Sequence, residues 1–166
     1  RVRVEERLAG AGIGEPMLFP MIRGRLVSID GRPVDAADYD DDRAQRMVQR
    51  EFNLSYMAEP PSHNAIVAGR WFDPDAAEVS FEAGIMETLG LRLGDRIGFD
   101  IAGRRIEAEL TSAREVAWDS MQVNFFAILS PGLLERMPQT WITAYHQPDA
   151  GERIDRMSPG ELASWR

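Results

Sequence analysis

The chain has 166 residues, no cysteine and a formal net charge of −8. A chain of this length buries roughly 70% of the surface it exposes when unfolded, enough for one domain, or two small lobes sharing a core, to be stable without staples. The absence of thiols excludes disulfides and thiolate metal sites, and the acidic balance argues against a general binder of phosphate backbones. No run approaches the ~20 apolar residues that a membrane span requires.

Arg1 to Leu8 reads as a helix already under way, broken by Gly10-Ala11-Gly12 and Gly14-Glu15-Pro16. Met17 to Ile29 reads as a long strand, with Asp30-Gly31 as a hairpin turn into Arg32-Pro33-Val34. Asp35 to Asp42 is an acidic loop that leads into a helix near Arg43 to Glu51. Ala44, Met47, Val48 and Phe52 share one face of that helix. Asn53 to Met57 is a second strand, and Glu59-Pro60-Pro61-Ser62 is the best candidate boundary between lobes. Ala65 to Trp71 follows as a short buried strand or turn.

The most patterned stretch is Glu78 to Val116. Ser80 can cap a helix whose Phe81, Ile85 and Leu89 recur at i, i+4 and i+8, with Gly90 ending it in a left-handed conformation. After Leu93-Gly94-Asp95 the period becomes two. Ile97, Phe99 and Ile101 alternate with Arg96, Gly98 and Asp100, and Ala102-Gly103 turns the chain. Ile106, Ala108 and Leu110 then alternate with Arg105, Glu107 and Glu109. Such a hairpin half-buries itself on a core, with Phe99 at the centre of the apolar face. Trp118 to Val123 has neither period and reads as a loop. Asn124 to Leu129 is an apolar strand, Pro131 to Met137 a short helical turn behind a Ser130 cap, and Thr140 to His146 a last strand. Ser158-Pro159-Gly160-Glu161 looks like a capping box at the start of another helix. Both ends read as cut, which predicts a piece of a longer protein. Strands and helices are interspersed without a regular βαβ repeat, so the expected class is α+β.

The residues offer little chemistry. Asp38-Tyr39-Asp40-Asp41-Asp42 alternates carboxylates as a calcium loop does, but the sixth and twelfth positions hold Arg43 and Gln49 instead of Gly and Glu. The plain reading is a solvated loop whose last Asp residues cap a helix. There is no Gly-x-Ser-x-Gly elbow and no phosphate-cradling glycine loop. His63 and His146 are isolated and read as surface residues, too few for a His-based zinc site. Glu107 and Glu109 beside Arg104 and Arg105 suggest cross-strand ion pairs. An enzyme is therefore not expected, nor a cofactor, a metal or a catalytic residue. The remaining lead is apolar: Trp118, Met121, Phe125 and Phe126 are the candidate residues for contact with a partner or substrate. Adjacent Phe125 and Phe126 point to opposite faces of a strand, and a loop carrying Trp and Met beside them leaves a patch of the kind that marks a contact site; the alternative is that Trp118 folds back and closes the end of the hairpin core.

Several blocks in order resemble the extracytoplasmic domain of FtsX-like (MacB-like) ABC transporter permeases. They run from Phe19-Pro20-Met21-Ile22-Arg23-Gly24-Arg25-Leu26 through Arg50-Glu51-Phe52-Asn53-Leu54-Ser55 and Ile66-Val67-Ala68-Gly69-Arg70-Trp71. Glu78-Val79-Ser80 and Leu89-Gly90-Leu91-Arg92-Leu93-Gly94-Asp95 follow, then Trp118-Asp119-Ser120 with Asn124-Phe125-Phe126, and Pro138-Gln139-Thr140-Trp141-Ile142-Thr143. Within that family they are most similar to the YbbP-type permeases, over roughly residues 17–146. The resemblance implies a periplasmic domain of an inner-membrane permease, working with a cytoplasmic ABC ATPase and relaying ATP-driven motion to a lipid, a lipoprotein, a hydrophobic compound or a periplasmic partner. A lysophospholipase-like esterase is one such partner, and nucleic acid is none. It further implies an α/β lobe from residues 1–57 with 139–166, and an inserted β-rich lobe over 58–138. The alternative is a soluble periplasmic binding or adaptor module, with a hydrolase of unrecognised site a third reading. The segment is expected to fold alone as a monomer and to bind no nucleotide.

Overall fold

The structure, a computed structural model, describes residues 18–119 and 122–143. In chain order these form β1 (Phe19–Ile29), β2 (Arg32–Pro33), α1 (Asp42–Val48), β3 (Glu51–Tyr56), β4 (Asn64–Gly69), β5 (Glu78–Glu82) and α2 (Ala83–Leu89). They continue with β6 (Arg96–Ile101), β7 (Arg104–Val116), β8 (Ala127–Leu129), α3 (Pro131–Leu134) and β9 (Thr140–Ile142). The class is α+β, dominated by sheet. Among the described residues no helix is long and apolar enough to cross a membrane. The helix read at Arg1, the capping box at Ser158 and the end of the last strand at Tyr145-His146 lie outside the described residues.

The two hairpin turns form as their residue types require. Asp30 and Gly31 have φ of 49° and 76°, and Ala102 and Gly103 have 51° and 79°. Positive φ at both central positions is the turn whose twist matches a right-twisted hairpin. The first turn joins β1 to β2, and the second sets β6 against β7 with Phe99 opposite Ile106.

The strand pairings close on themselves. β1 runs antiparallel to β3 and to β6. β6 pairs antiparallel with β7, β7 parallel with β5, and β5 antiparallel with β8. β8 then pairs parallel with β3, which returns the path to β1. Strands β1, β3, β8, β5, β7 and β6 thus form a closed ring, which removes the exposed edges an open sheet would carry. β2 and β9 extend β1, and β4 extends β7. β4 is not the buried strand its apolar letters suggest: Val67 to Gly69 are exposed, because the strand lies at the end of the sheet path.

Inside the ring, Leu26, Leu54, Val79, Ile97, Phe99, Ile101 and Leu110 are all at most 2% exposed, so the inward parity of each strand is the core. Phe81 of β5 and Phe99 of β6 stack with centroids 6.1 Å apart although their strands do not pair, so they meet across the interior. Gly24 lets β1 approach closely, since a Cβ there would lie 2.6 Å from Leu54 Cδ1 and 2.9 Å from Ile101 Cγ1. The helices add their apolar faces to the same core: Ala44, Met47 and Val48 from α1, Ile85, Met86 and Leu89 from α2, and Leu134 from α3. Phe52, placed by sequence on the face of the first helix, is in β3 and buried. A smaller cluster of Phe72, Phe125 and Ile128 lies apart from the main core, with Phe19, Trp71 and Val123 packed on it.

Local structure departs from the sequence reading in three further places. Asp41 caps α1 through Arg43 and Ala44 N–H, as expected of the acidic loop. The cap of α2 is Glu82, whose carboxylate accepts from Ile85 N–H at 2.7 Å, and not Ser80, which lies buried in β5. Phe81 fits the helical spacing by coincidence, being the last apolar residue of β5. Ser130 precedes α3 without capping it; its hydroxyl donates to Ala76 C=O and accepts instead from Glu78 N–H at 3.4 Å. The third departure is the strand expected from Asn124, which is confined to Ala127–Leu129. Gly90 does end α2 with φ of 66°.

Phe99→Ala should destabilise the chain by about 3–5 kcal/mol in denaturant melts, the usual range for truncating a buried Phe; a loss below roughly 1 kcal/mol would place Phe99 outside the core. Ala102 has a left-handed backbone conformation that costs an L-residue roughly 1–2 kcal/mol. It is exposed, so Ala102→Asn should raise stability by up to about 1 kcal/mol, and a lowered melting temperature would refute the turn assignment.

Candidate contact site

The candidate surface lies where β7 runs out and the chain returns to β8. Trp118 follows the strand after Ala117 and is 50% exposed, one of few large apolar side chains so open to solvent among the described residues. Its ring lies 5.2 Å from that of Phe126, tilted by 52°. Phe126 is half-buried and meets Phe52 of β3 edge-on at 6.0 Å, so an aromatic file runs from the core to the surface. Phe125 points into the smaller cluster, 2% exposed, with its ring edge to Phe19 at 6.3 Å. Phe125 and Phe126 lie before the strand on which they were expected to alternate, since β8 begins at Ala127; Phe125 is nevertheless buried and Phe126 lies beneath Trp118. Met121, the fourth candidate, lies outside the described residues.

What holds this segment is a residue that motif reasoning passed over. Arg114 of β7 is 0% exposed, and its guanidinium is spread over neutral acceptors. Nε donates to Ser80 Oγ at 3.0 Å, Nη2 to Phe125 C=O at 3.0 Å and Phe126 C=O at 3.3 Å, and Nη1 to Asn64 Oδ1. Ser112 Oγ donates to the same Ser80 hydroxyl at 2.7 Å. Burial pulls the Arg114 pKa down to about 10, opposed by the charge of Glu82, so the group remains a cation at neutral pH. Two further ties join the segment to the start of β4. His63 Nε2 meets Val123 C=O at 3.1 Å, and Asn64 Nδ2 donates to Asn124 Oδ1 at 3.4 Å. His63 is thus half-buried and partnered, not the free surface residue its loop suggested.

The signal for Arg114 was present in the sequence. It shares the parity of Ala108, Leu110 and Ser112 along β7, the buried side of the strand. A charged residue at an inward position needs built-in partners, because leaving it unpaired costs several kcal/mol.

Elsewhere the ionisable groups have structural duties. Arg70 donates to both Glu78 carboxylate oxygens at 2.6 and 3.0 Å, and Asp73 N–H donates to Glu78 at 3.0 Å. The hydrogen bond from Arg70, then that from Asp73 N–H, holds the Glu78 carboxyl below its ordinary pKa against the opposing effect of burial. Arg105 pairs with Glu107 at 3.2 Å on its own strand, not across the hairpin as expected. Among the described residues no group of three or more His, Asp or Glu side chains could hold a metal ion.

Because Glu78 has a depressed pKa, its stabilisation is present above the ordinary carboxylate pKa of about 4.3 and is lost as pH falls through the lower folded value. The stability gap between the native chain and Glu78→Gln should thus be open at neutral pH and close on acidification; a gap independent of pH would refute the ion pair's role.

Over 140 residues the chain is 38% identical to YbbP, an uncharacterized ABC transporter permease of Escherichia coli (strain K12). The match spans 84% of this chain and 16% of that permease, so the chain corresponds to a small part of its relative's length. No family model matches the chain, and no solved structure matches it. The ordered blocks between Phe19 and Thr143 and the identity over most of the chain agree, and on that ground the chain belongs with the YbbP-type ABC transporter permeases.

Proposed function

We propose that the chain is an extracytoplasmic, periplasmic domain of an inner-membrane permease of the FtsX-like (MacB-like) kind, and that it relays ATP-driven motion to a substrate or partner outside the membrane. The observation that carries this reading is the 38% identity across 84% of the chain to an ABC transporter permease. ATP hydrolysis then belongs to a separate cytoplasmic subunit, reached through the parent protein's membrane segments. The chain itself is not an enzyme on this reading.

The working surface is the Trp118–Phe126 segment. An exposed Trp standing on a half-buried Phe, with that Phe edge-on to the core, offers an apolar contact whose position follows the barrel beneath it. Such a surface suits an acyl chain, another hydrophobic compound, or the apolar face of a periplasmic protein such as a lysophospholipase-like esterase.

The test uses the full permease with its ATPase in proteoliposomes containing lysophospholipid. Trp118→Ala with Phe126→Ala should abolish the lipid-stimulated part of ATP turnover and leave basal turnover unchanged. Full lipid stimulation in the double variant would overturn the assignment of this surface.

A further inference from the structure

We infer that Arg114 is a positioning residue: a buried guanidinium latch that fixes the Phe125–Phe126 backbone, and so Trp118, to the barrel wall. This deepens the proposed role of the aromatic segment, but the latch can be measured in the isolated chain whether or not the segment contacts a lipid.

Three observations carry it. Among the described residues, the hydrogen bonds of the Arg114 side chain all go to neutral acceptors: Ser80 Oγ and C=O, Asn64 Oδ1, and the carbonyls of Phe125 and Phe126. A buried cation without a hydrogen-bonded carboxylate is a poor way to stabilise a fold, and well-packed apolar residues at buried ionic positions are often as stable or more so. The distribution of the donors is the second observation. They tie β5 through Ser80, the start of β4 through Asn64, and two consecutive carbonyls of the segment that carries the aromatic file. Only a planar fork with donors on three nitrogens spans such a set; a lysine ammonium is a single point. Third, Phe126 is the ring on which Trp118 stands, so the atoms Arg114 grips lie one residue's length from the exposed contact. Nothing else on β7 beyond Leu110 reaches that segment with a charged group, since Glu115 faces the solvent.

The consequence is a separation of stability from position. Without the guanidinium, the Phe125 carbonyl loses this partner and must reach water, which loosens the segment at Phe125, while Phe126 C=O keeps only its bond from Glu82 N–H at 2.8 Å. The barrel core of Leu54, Phe81 and Phe99 does not depend on that contact.

The experiment is 19F NMR of the chain labelled with 5-fluorotryptophan, with the Trp118 resonance assigned by Trp118→Phe. Methyl resonances of Leu54 and Leu110 in the barrel core are the internal control for the rest of the fold. In Arg114→Met the Trp118 resonance should move toward that of a fully solvated indole while those methyl resonances stay in place. A folded Arg114→Met with the Trp118 resonance unmoved overturns the latch. If Arg114→Met does not fold, Arg114→Lys decides: it keeps the cation but not the fork. It should displace the Trp118 signal in the same direction, and a native Trp118 signal in that variant overturns the inference.

Discussion

Everything in this structure depends on how β7 is used. Its 13 residues pair on one edge with β6 and then with β4, and on the other edge with β5. One strand therefore closes the barrel, carries an exposed extension and delivers Arg114 to the base of the aromatic segment. The close fit of that extension shows at Gly69, whose φ of 73° and contact with Thr111 C=O leave no space for a side chain. The register shifts in both the β4 and the β5 pairings fall along the same part of β7. A bulge increases local twist and turns a strand. Here the turn coincides with the change from a strand serving the core to a strand serving the surface.

That division also orders the energetics. The interior is apolar and needs no polar partners, so its stability follows from burial at roughly 1.5–3 kcal/mol per large side chain. The far end of β7 buries Ser112, Arg114, and with them Ser80 of β5, at 0% exposure. These groups are compensated by each other and by backbone carbonyls, an arrangement that specifies geometry more than it adds stability. The exposed Trp118 stands on the specified part, through its contact with the Phe126 ring.

Much of the fold was legible in the sequence, and the reasons differ by element. The β6–β7 hairpin was readable because alternation and a turn are both local: Ile97, Phe99 and Ile101 on one side, Ala102-Gly103 between. Asp41 as a cap was readable for the same reason. Ring closure was not, because the parallel pairs β3–β8 and β5–β7 join residues far apart in the chain, and no local period encodes a partner. Ser80 was misread because a serine before an apolar run caps a helix or lines a sheet with equal local logic; its partners Ser112 and Arg114 settle the matter from 32 and 34 residues away. Trp118, Phe125 and Phe126 stood out by composition, but the group that holds them showed only as an arginine at an inward position of a strand. The family was legible as an ordered set of blocks, no one of which would suffice alone.

The central claim is that nucleotide turnover on another subunit reaches the Trp118–Phe126 surface through this barrel. The most direct measurement places an environment-sensitive fluorophore at position 118, through Trp118→Cys, in the full permease assembled with its ATPase in proteoliposomes. No other cysteine exists in this segment to compete for the label. Addition of ATP should shift the emission reversibly, and a variant ATPase that binds but does not hydrolyse ATP should hold it at one value. Emission that stays constant while ATP is hydrolysed would contradict the account.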